Sequence, residues 1–443
     1  MDAFHRRGFL GLTATAAALA GAGCYPRHGN GPAGRSPAAP DLADPRLRAM
    51  AGLPQQKQLM LGYPVNMATP PPEFFAWRRE LEAVGLGQFA FNNVGDPYQH
   101  SHIAFNTHMF ERELVRRFGA LYRFAAHDTW GFLSNSGTDS NMHGLYMGRT
   151  ILSGHAGIEP NIYFTKEAHY SIQILADLLG LQRIDVGTHS DGRMSAESLA
   201  QRLSEYPNQP ALVVATIGTT FKGAVDSLDE IQAALVGRTA YVHVDAALFG
   251  GYLPHTPFAA RLWQRKDGSS SGAPRYDSIA VSCHKFFGFP SPAGLFISTH
   301  AAFAQFHELF SQVHDPEYLQ QVPGTITCSR DAVKPAEFVF FSTDRAFARQ
   351  RDDAEQILRD TSYVYDQMQT HFPELSPVRA SPLSNTIYFR QPSEEIVDAY
   401  TLATMTIAHE GKREPHAHVI VMPHATREIL DNFLTDLEHE RAG

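Results

Sequence analysis

The stretch from Ala211 to Asp245 decides the fold: ALVVATIGTTFKGAVDSLDEIQAALVGRTAYVHVD. It opens with an apolar, β-branched run over 211–217 and crosses a Gly- and Thr-rich turn to reach Ser227. Ser227 and Glu230 have the spacing of a capping box, which predicts a helix over 227–235. A second apolar run, 241–245, ends on Asp245. Two short strands joined by a helical crossover make a parallel pair.

The same alternation extends in both directions. Further strands are predicted over 131–135, 161–165, 183–186, 278–282 and 294–298, with helices over 139–152, 170–179 and 195–206. The class is therefore α/β, with a mostly parallel sheet covered on both faces. In such sheets ligands sit at the carboxyl ends of the strands. Beyond about residue 340 the texture changes: a long polar helix over 343–371, a strand over 386–389, a helix over 394–404, a strand over 418–421 and a last helix over 426–440. That pattern reads as a smaller α+β C-terminal domain. The expected division is 51–310 for an N-terminal segment and large domain, and 311–443 for the small one.

The 443 residues carry 37 Lys+Arg against 46 Asp+Glu, a net charge of −9. An acidic chain without a basic block argues against nucleic acid or an anionic membrane surface as partner. Its three cysteines, Cys24, Cys283 and Cys328, contain no CxxC pair, so neither a zinc ribbon nor a disulfide framework is expected. Twenty-two histidines suggest metal at first sight. His100-Ser-His102 and His416-Ala-His418 each place two imidazoles on one strand face, but no third ligand is apparent, and no metal is expected.

Residues 1–23 begin with Arg6-Arg7-Gly8-Phe9-Leu10 and continue into an Ala-rich apolar run. The run is shorter than the roughly 20 residues of a membrane span and fits a signal peptide of twin-arginine type. Export to the periplasm is the expectation, with Cys24 as a candidate lipid acceptor and the only expected link to a membrane. The Pro- and Gly-rich residues 24–50 then read as a tether.

Four features fall at strand ends. Lys285, in Ser282-Cys-His-Lys285, follows a strand, where desolvation would make its amine nucleophilic; read alone it is more simply a surface lysine. Asp245 is suited to keeping a pyridine nitrogen protonated, or simply caps a helix. Ser136-Gly137-Thr138 is either an ordinary N-cap or an anion seat made by a helix N-terminus. His169, before Tyr170-Ser171, can stack on a flat cofactor or serve the fold alone. Together they make an anchor, a protonator, a phosphate seat and a stacking ring.

These residues resemble the pyridoxal-phosphate-dependent group II amino-acid decarboxylases, in the branch of bacterial histidine decarboxylases and plant serine decarboxylases. The resemblance rests on Leu61-Gly-Tyr-Pro64, Asn92-Asn-Val-Gly-Asp-Pro97, Gly137-Thr-Asp-Ser-Asn141, His169-Tyr-Ser171, Ile217-Gly-Thr-Thr220, Gly223-Ala-Val-Asp226, His243-Val-Asp-Ala-Ala247, Ser282-Cys-His-Lys285 and Ala417-His-Val-Ile-Val-Met-Pro423. It implies a type I pyridoxal-phosphate fold, pyridoxal 5'-phosphate as cofactor, and a homodimer with shared active sites. Carried over by position, Lys285 would bind the cofactor covalently, Asp245 would pair with its ring nitrogen and His169 would stack on it. Ser136, Gly137 and Thr138, with Ser282 and His284, would hold the phosphate; Thr219 and Ala247 would line the ring. Tyr318, in Asp315-Pro-Glu-Tyr318, matches a family tyrosine and would return a proton to Cα.

One family stretch departs: Gly-Ser-Arg-Asn-Gly reads here Cys328-Ser-Arg-Asp-Ala332. Asp96-Pro97 looks like the serine-decarboxylating relatives and Asn106 like the histidine-decarboxylating ones. The expected reaction is decarboxylation of an L-amino acid, with histidine to histamine favoured and serine to ethanolamine as the alternative. Another lyase or an aminotransferase on the same fold, and an exported cofactor-binding relative without turnover, are the remaining readings.

Overall fold

A computed structural model describes residues 45–56, 59–262, 275–314, 316–409 and 412–442. The chain divides into two units, Met1–Pro54 and Gln55–Gly443. The expected signal peptide, Cys24 and the tether up to residue 44 lie outside the described residues. The tether's last six positions form the helix Pro45–Met50.

In the second unit a small ribbon pairs β1 (Asn92–Val94) with a strand far down the chain, taken up below. The main sheet uses β2 (Trp130–Ser134), β3 (Asn161–Thr165), β4 (Gln182–Val186), β5 (Ala211–Thr216), β6 (Ala240–Asp245), β7 (Ser278–Ser282) and β8 (Gly294–Ser298). Their spatial order is β2-β8-β7-β6-β5-β3-β4. Strands β3 to β7 pair in parallel, whereas β8 runs antiparallel to both β2 and β7. Loop 283–293 between β7 and β8 is shorter than the dozen or so residues of a parallel crossover, so β8 must return antiparallel. The expected mostly parallel α/β sheet is what forms.

Successive side chains point to opposite sides of the sheet, and on β2, β3, β5, β7 and β8 both sides are buried, whereas the edge strand β4 is partly exposed. On β5, Leu212 and Val214 enter one apolar cluster and Val213 and Ala215 the other. Phe118, from the helix His108–Leu121, covers the Val213 face. The helix Gly137–Ala156 covers the Leu212 face through Leu145, Ile151 and Leu152. Gly144 and Gly148, one turn apart on that helix, let it approach closely: a Cβ at Gly148 would lie 2.7 Å from Leu212.

The C-terminal part adds β9 (Ser329–Asp331), the partner of β1, and then β10 (Thr386–Arg390), β11 (Ala403–His409) and β12 (Lys412–Ile420). The last three form an antiparallel sheet in the order β10-β12-β11. It is flanked by the helices Asp344–His371 and Arg427–Ala442, which are tied by Arg427 to Asp360 at 2.6 Å. One expected element is corrected here. Residues 394–404 are not one helix: the helix is Glu394–Ala399, Thr401 turns left-handed at φ 47°, and the chain continues into β11. Pairing with β11 also extends the strand expected at 418–421 back to Lys412.

Candidate active site

Strands β3, β5, β6 and β7 share one direction, and β2 shares it too because it is antiparallel to β8. The segments that follow their carboxyl ends therefore meet along one edge. Asp245 is the last residue of β6 and is buried. Its carboxylate accepts hydrogen bonds from Asn141 Nδ2 at 3.1 Å and the Ala247 amide at 3.2 Å.

Lys285 lies in the turn after β7. Burial lowers its ammonium below the ordinary value, while Asp245 acts in the opposite sense. Burial thus eases loss of the ammonium proton, and the amine that results is a nucleophile beside a carboxylate. The turn is fastened on three sides. The Asn66 amide donates to Lys285 O at 3.1 Å, Asn66 Nδ2 donates to Phe286 O at 2.9 Å, and the Ser282 amide donates to Ala247 O at 3.0 Å. Gly288, at φ 69°, closes the turn by donating to Lys285 O, in a backbone conformation that favours glycine. Cys283 is wholly buried beneath the turn, and burial pushes its thiol well above the usual range, so it is an inert packing residue.

His169 is the N-cap of the helix Tyr170–Leu178, and its Nδ1 accepts from the Ser171 amide at 3.3 Å. Burial holds its imidazole below the ordinary range; Asp245 opposes that shift and Lys285 reinforces it. His169, Asp245 and Lys285 thus form one electrostatic group, although 116 positions separate the first from the last. The Thr219 turn abuts it, since the Thr220 amide donates to Glu167 O. Thr219 is buried and its hydroxyl accepts from the Ala224 amide at 2.9 Å.

The anion seat gathers at the neighbouring strand ends. Ser136 caps the 20-residue helix Gly137–Ala156 by accepting from the Asp139 amide at 3.1 Å. A Cβ at Gly137 would collide with Ser282 Oγ, so the helix start and the end of β7 touch. His284 follows with a buried Nδ1 that has no protein partner. A helix N-terminus, two hydroxyls and an unpartnered imidazole nitrogen suit a phosphate. Thr138 stands exposed beside them. With the Lys285 amine and Asp245 carboxylate alongside, the donor set fits pyridoxal phosphate.

Not every predicted residue joins the group. Tyr318, in the turn Glu317–Leu319, is 82% exposed, and no hydrogen bond or ring contact among the described residues links it to the strand ends. Asp96 is buried and accepts from Trp130 Nε1 at 3.0 Å, while Asn106 Nδ2 donates to Ile103 O at 2.6 Å. Both fasten loops. Within the departing stretch, Arg330 is buried and donates to Glu111, Gly95 O and Thr325. No group of three metal-ligating side chains occurs among the described residues. His418 instead sets its ring nitrogens 2.8 and 2.9 Å from the Phe221 and Gly62 carbonyl oxygens. No described helix is long and apolar enough to cross a membrane. Sequence reasoning missed Asn66, which closes the quoted motif's immediate extension, Leu61-Gly-Tyr-Pro-Val-Asn66; its target lies some 220 positions away.

Comparison with known proteins identifies the relatives of the chain. The pyridoxal-dependent decarboxylase conserved domain matches residues 131–331. Serine decarboxylase 1 of Oryza sativa subsp. japonica is 31% identical over 393 residues, covering 86% of this chain and 72% of that protein. A histidine decarboxylase of Mesorhizobium japonicum is 30% identical over 354 residues, covering 79% and 87%. The crystal structure of L-methionine decarboxylase from Streptomyces sp. 590 shares the fold, with a TM-score of 0.74 at 22% identity over 89% of this chain and 94% of that one.

Proposed function

This chain belongs to the pyridoxal-dependent decarboxylase family, and from that premise we propose that it is an exported homodimeric enzyme converting histidine to histamine and CO2. One observation carries the chemistry: Lys285, Asp245 and His169 converge at the strand ends beside the seat formed by Ser136, Gly137, Ser282 and His284.

Bound there, pyridoxal phosphate supplies an electron sink for the pair left behind when a carboxylate departs. The chain's own residues make that possible. Lys285 offers the amine for attachment, and burial keeps it reactive. Asp245, steadied by Asn141 and the Ala247 amide, holds a proton on the cofactor's ring nitrogen. His169 would cover the ring, with Thr219 and Ala247 lining it. Ser136, Gly137, Thr138, Ser282 and His284 would hold the phosphate. Tyr318 returns the proton to Cα, and its exposure on a single chain suits a hydroxyl that meets substrate across a subunit junction. The helix carrying His169 also exposes Tyr170, Ile174 and Leu178 at one-turn spacing, an apolar stripe suited to a second copy.

Asn106 supports histidine as substrate. Asp96-Pro97 supports serine, giving ethanolamine, as the second reading. Arg6 and Arg7 support export by the twin-arginine route to the periplasm, with Cys24 as the candidate lipid acceptor.

The test is to purify the protein with pyridoxal phosphate, offer a panel of amino acids, and measure CO2 and amine release for wild type and Lys285→Ala. Wild type should show visible cofactor absorbance and release amine from histidine; Lys285→Ala should do neither. Absence of absorbance in wild type overturns the cofactor assignment. Turnover of only aromatic or acidic substrates overturns the substrate assignment, and a keto acid product overturns decarboxylation. Sizing of the purified protein tests the dimer, and fractionation with radiolabelled lipid tests Cys24.

A further inference from the structure

Behind Asp245 a line of buried polar groups runs away from the site, under the helix Gly137–Ala156. Asn141 Nδ2 donates to Asp245 at 3.1 Å. Asn141 Oδ1 lies 2.9 Å from His243 Nε2, His243 Nδ1 lies 2.8 Å from Ser278 Oγ, and Tyr241 OH lies 2.9 Å from the same Ser278 oxygen. All of these residues are buried. A Cβ at Gly144 would collide with His243 Nδ1, so the helix is shaped to admit that ring.

Donor bookkeeping sets the direction of this line. A carboxylate only accepts, so the Asn141 amide must present its N–H to Asp245 and its oxygen to His243. His243 must then carry its proton on Nε2 and leave Nδ1 bare. Ser278 must donate to Nδ1 and, its proton spent, accept from Tyr241. The four protons of the line, on Asn141 Nδ2, His243 Nε2, Ser278 Oγ and Tyr241 OH, all point toward Asp245. Burial drives the His243 imidazole down to about 3, which keeps the ring neutral as the line requires. The charged and titratable groups around it are His169 and Lys285 near Asp245, His143 near His243 and Asp277 near Tyr241.

We propose that Asn141 and His243 are positioning residues whose one-way hydrogen-bond line holds Asp245 as the oriented carboxylate that the cofactor's ring nitrogen requires. The proposal rests on the pyridoxal-phosphate reading and deepens it. It does not need His243 to touch cofactor or substrate.

The experiment compares wild type, His243→Leu, His243→Gln and Ser278→Ala. It reads pyridoxal phosphate affinity, the pH titration of the bound cofactor's visible absorbance, and melting of the cofactor-free protein. His243→Leu should bind cofactor about tenfold more weakly, as expected when a hydrogen bond supporting a charge is lost. Its absorbance titration should move down by about one pH unit, because a cation loses support from its anion. His243→Gln, which restores an N–H toward Asn141, should recover affinity and titration. Wild-type affinity and titration in His243→Leu overturn the proposal, as does equal impairment of the Leu and Gln variants, which assigns the effect to packing. Should His243→Leu fail to fold, Ser278→Ala keeps the ring and removes its donor, together with the acceptor of Tyr241. A downward titration shift there supports the line and an unchanged titration overturns it. A wild type that binds no cofactor sinks the functional reading itself, and the line with it.

Discussion

Arg330 and Glu111 meet inside the protein with both side chains closed to solvent, Nη2 to Oε2 at 2.9 Å. The pair joins β9 to the helix His108–Leu121, and the second Glu111 oxygen accepts from the Leu133 amide on β2 at 3.2 Å. Arg330 also lies over the Phe132 ring at 5.0 Å and binds Gly95 O. Burial pushes Glu111 upward and Arg330 acts against it. A charge left alone here has no access to water.

Removing one partner is therefore costly. Glu111→Gln and Arg330→Met should each destabilise the protein by about 3–5 kcal/mol, and the double variant by much less than the sum. Urea unfolding of the single and double variants measures this; strict additivity would deny the pairing.

Gly137→Ala should weaken pyridoxal phosphate binding by about tenfold or more, because the new Cβ collides with Ser282 Oγ in the anion seat. Titration of the cofactor's visible absorbance checks it. Ser136→Ala removes a helix cap and should cost about 1 kcal/mol of stability besides.

Stability should fall on mild acidification. His108, His143, His243 and His255 are held chiefly by burial at about 4, 3, 3 and 4, against an ordinary 6.5. Below about pH 6.5 the unfolded chain therefore takes up protons that these folded imidazoles refuse. Asp226 and Asp277 act oppositely: burial raises both to about 6, so the folded state takes up their protons first. Among these six groups, near pH 5 about four histidine protons favour unfolding and about two carboxyl protons favour folding. The remainder lowers stability by about 3 kcal/mol per pH unit as pH drops. Urea unfolding at pH 7, 6 and 5 would show a decline; a flat profile would contradict it.

Tyr318→Phe should leave urea unfolding unchanged within about 0.5 kcal/mol, because the side chain is 82% exposed. Turnover should fall by about 10²-fold if the hydroxyl returns the proton to Cα. Undiminished turnover would remove Tyr318 from the mechanism.

The central sheet was legible because burial writes itself into short apolar runs. The strands expected at 161–165, 278–282 and 294–298 match the observed bounds residue for residue. The cap at Ser227 was legible too: its side chain accepts from the Glu230 amide. Elements stabilised by distant partners were not. Only the first two residues of β11 fall within the helix expected over 394–404 and the rest has no expected element, because residues 403–409 draw their hydrogen bonds from β12 rather than from a local pattern. The ribbon of β1 with β9 went unseen for the same reason, its strands being three residues each. Arg330 was noted only as a survivor in an altered motif, since burial of a guanidinium leaves no local trace.

By itself the sequence determined the α/β class, the family, and the identity of Lys285, Asp245 and His169 as residues at strand ends, because strand length, crossover helices and ordered motifs are local properties. Only the tertiary structure decided what surrounds them. That Asn66 fastens the Lys285 turn, that Gly137 abuts Ser282, and that Asn141 and His243 stand behind Asp245 all depend on chain crossings between residues up to 220 positions apart. Hydrogen bonds and electrostatic shifts act over a few ångströms of space, and spacing along the chain does not encode those distances until the sheet has brought its strand ends together.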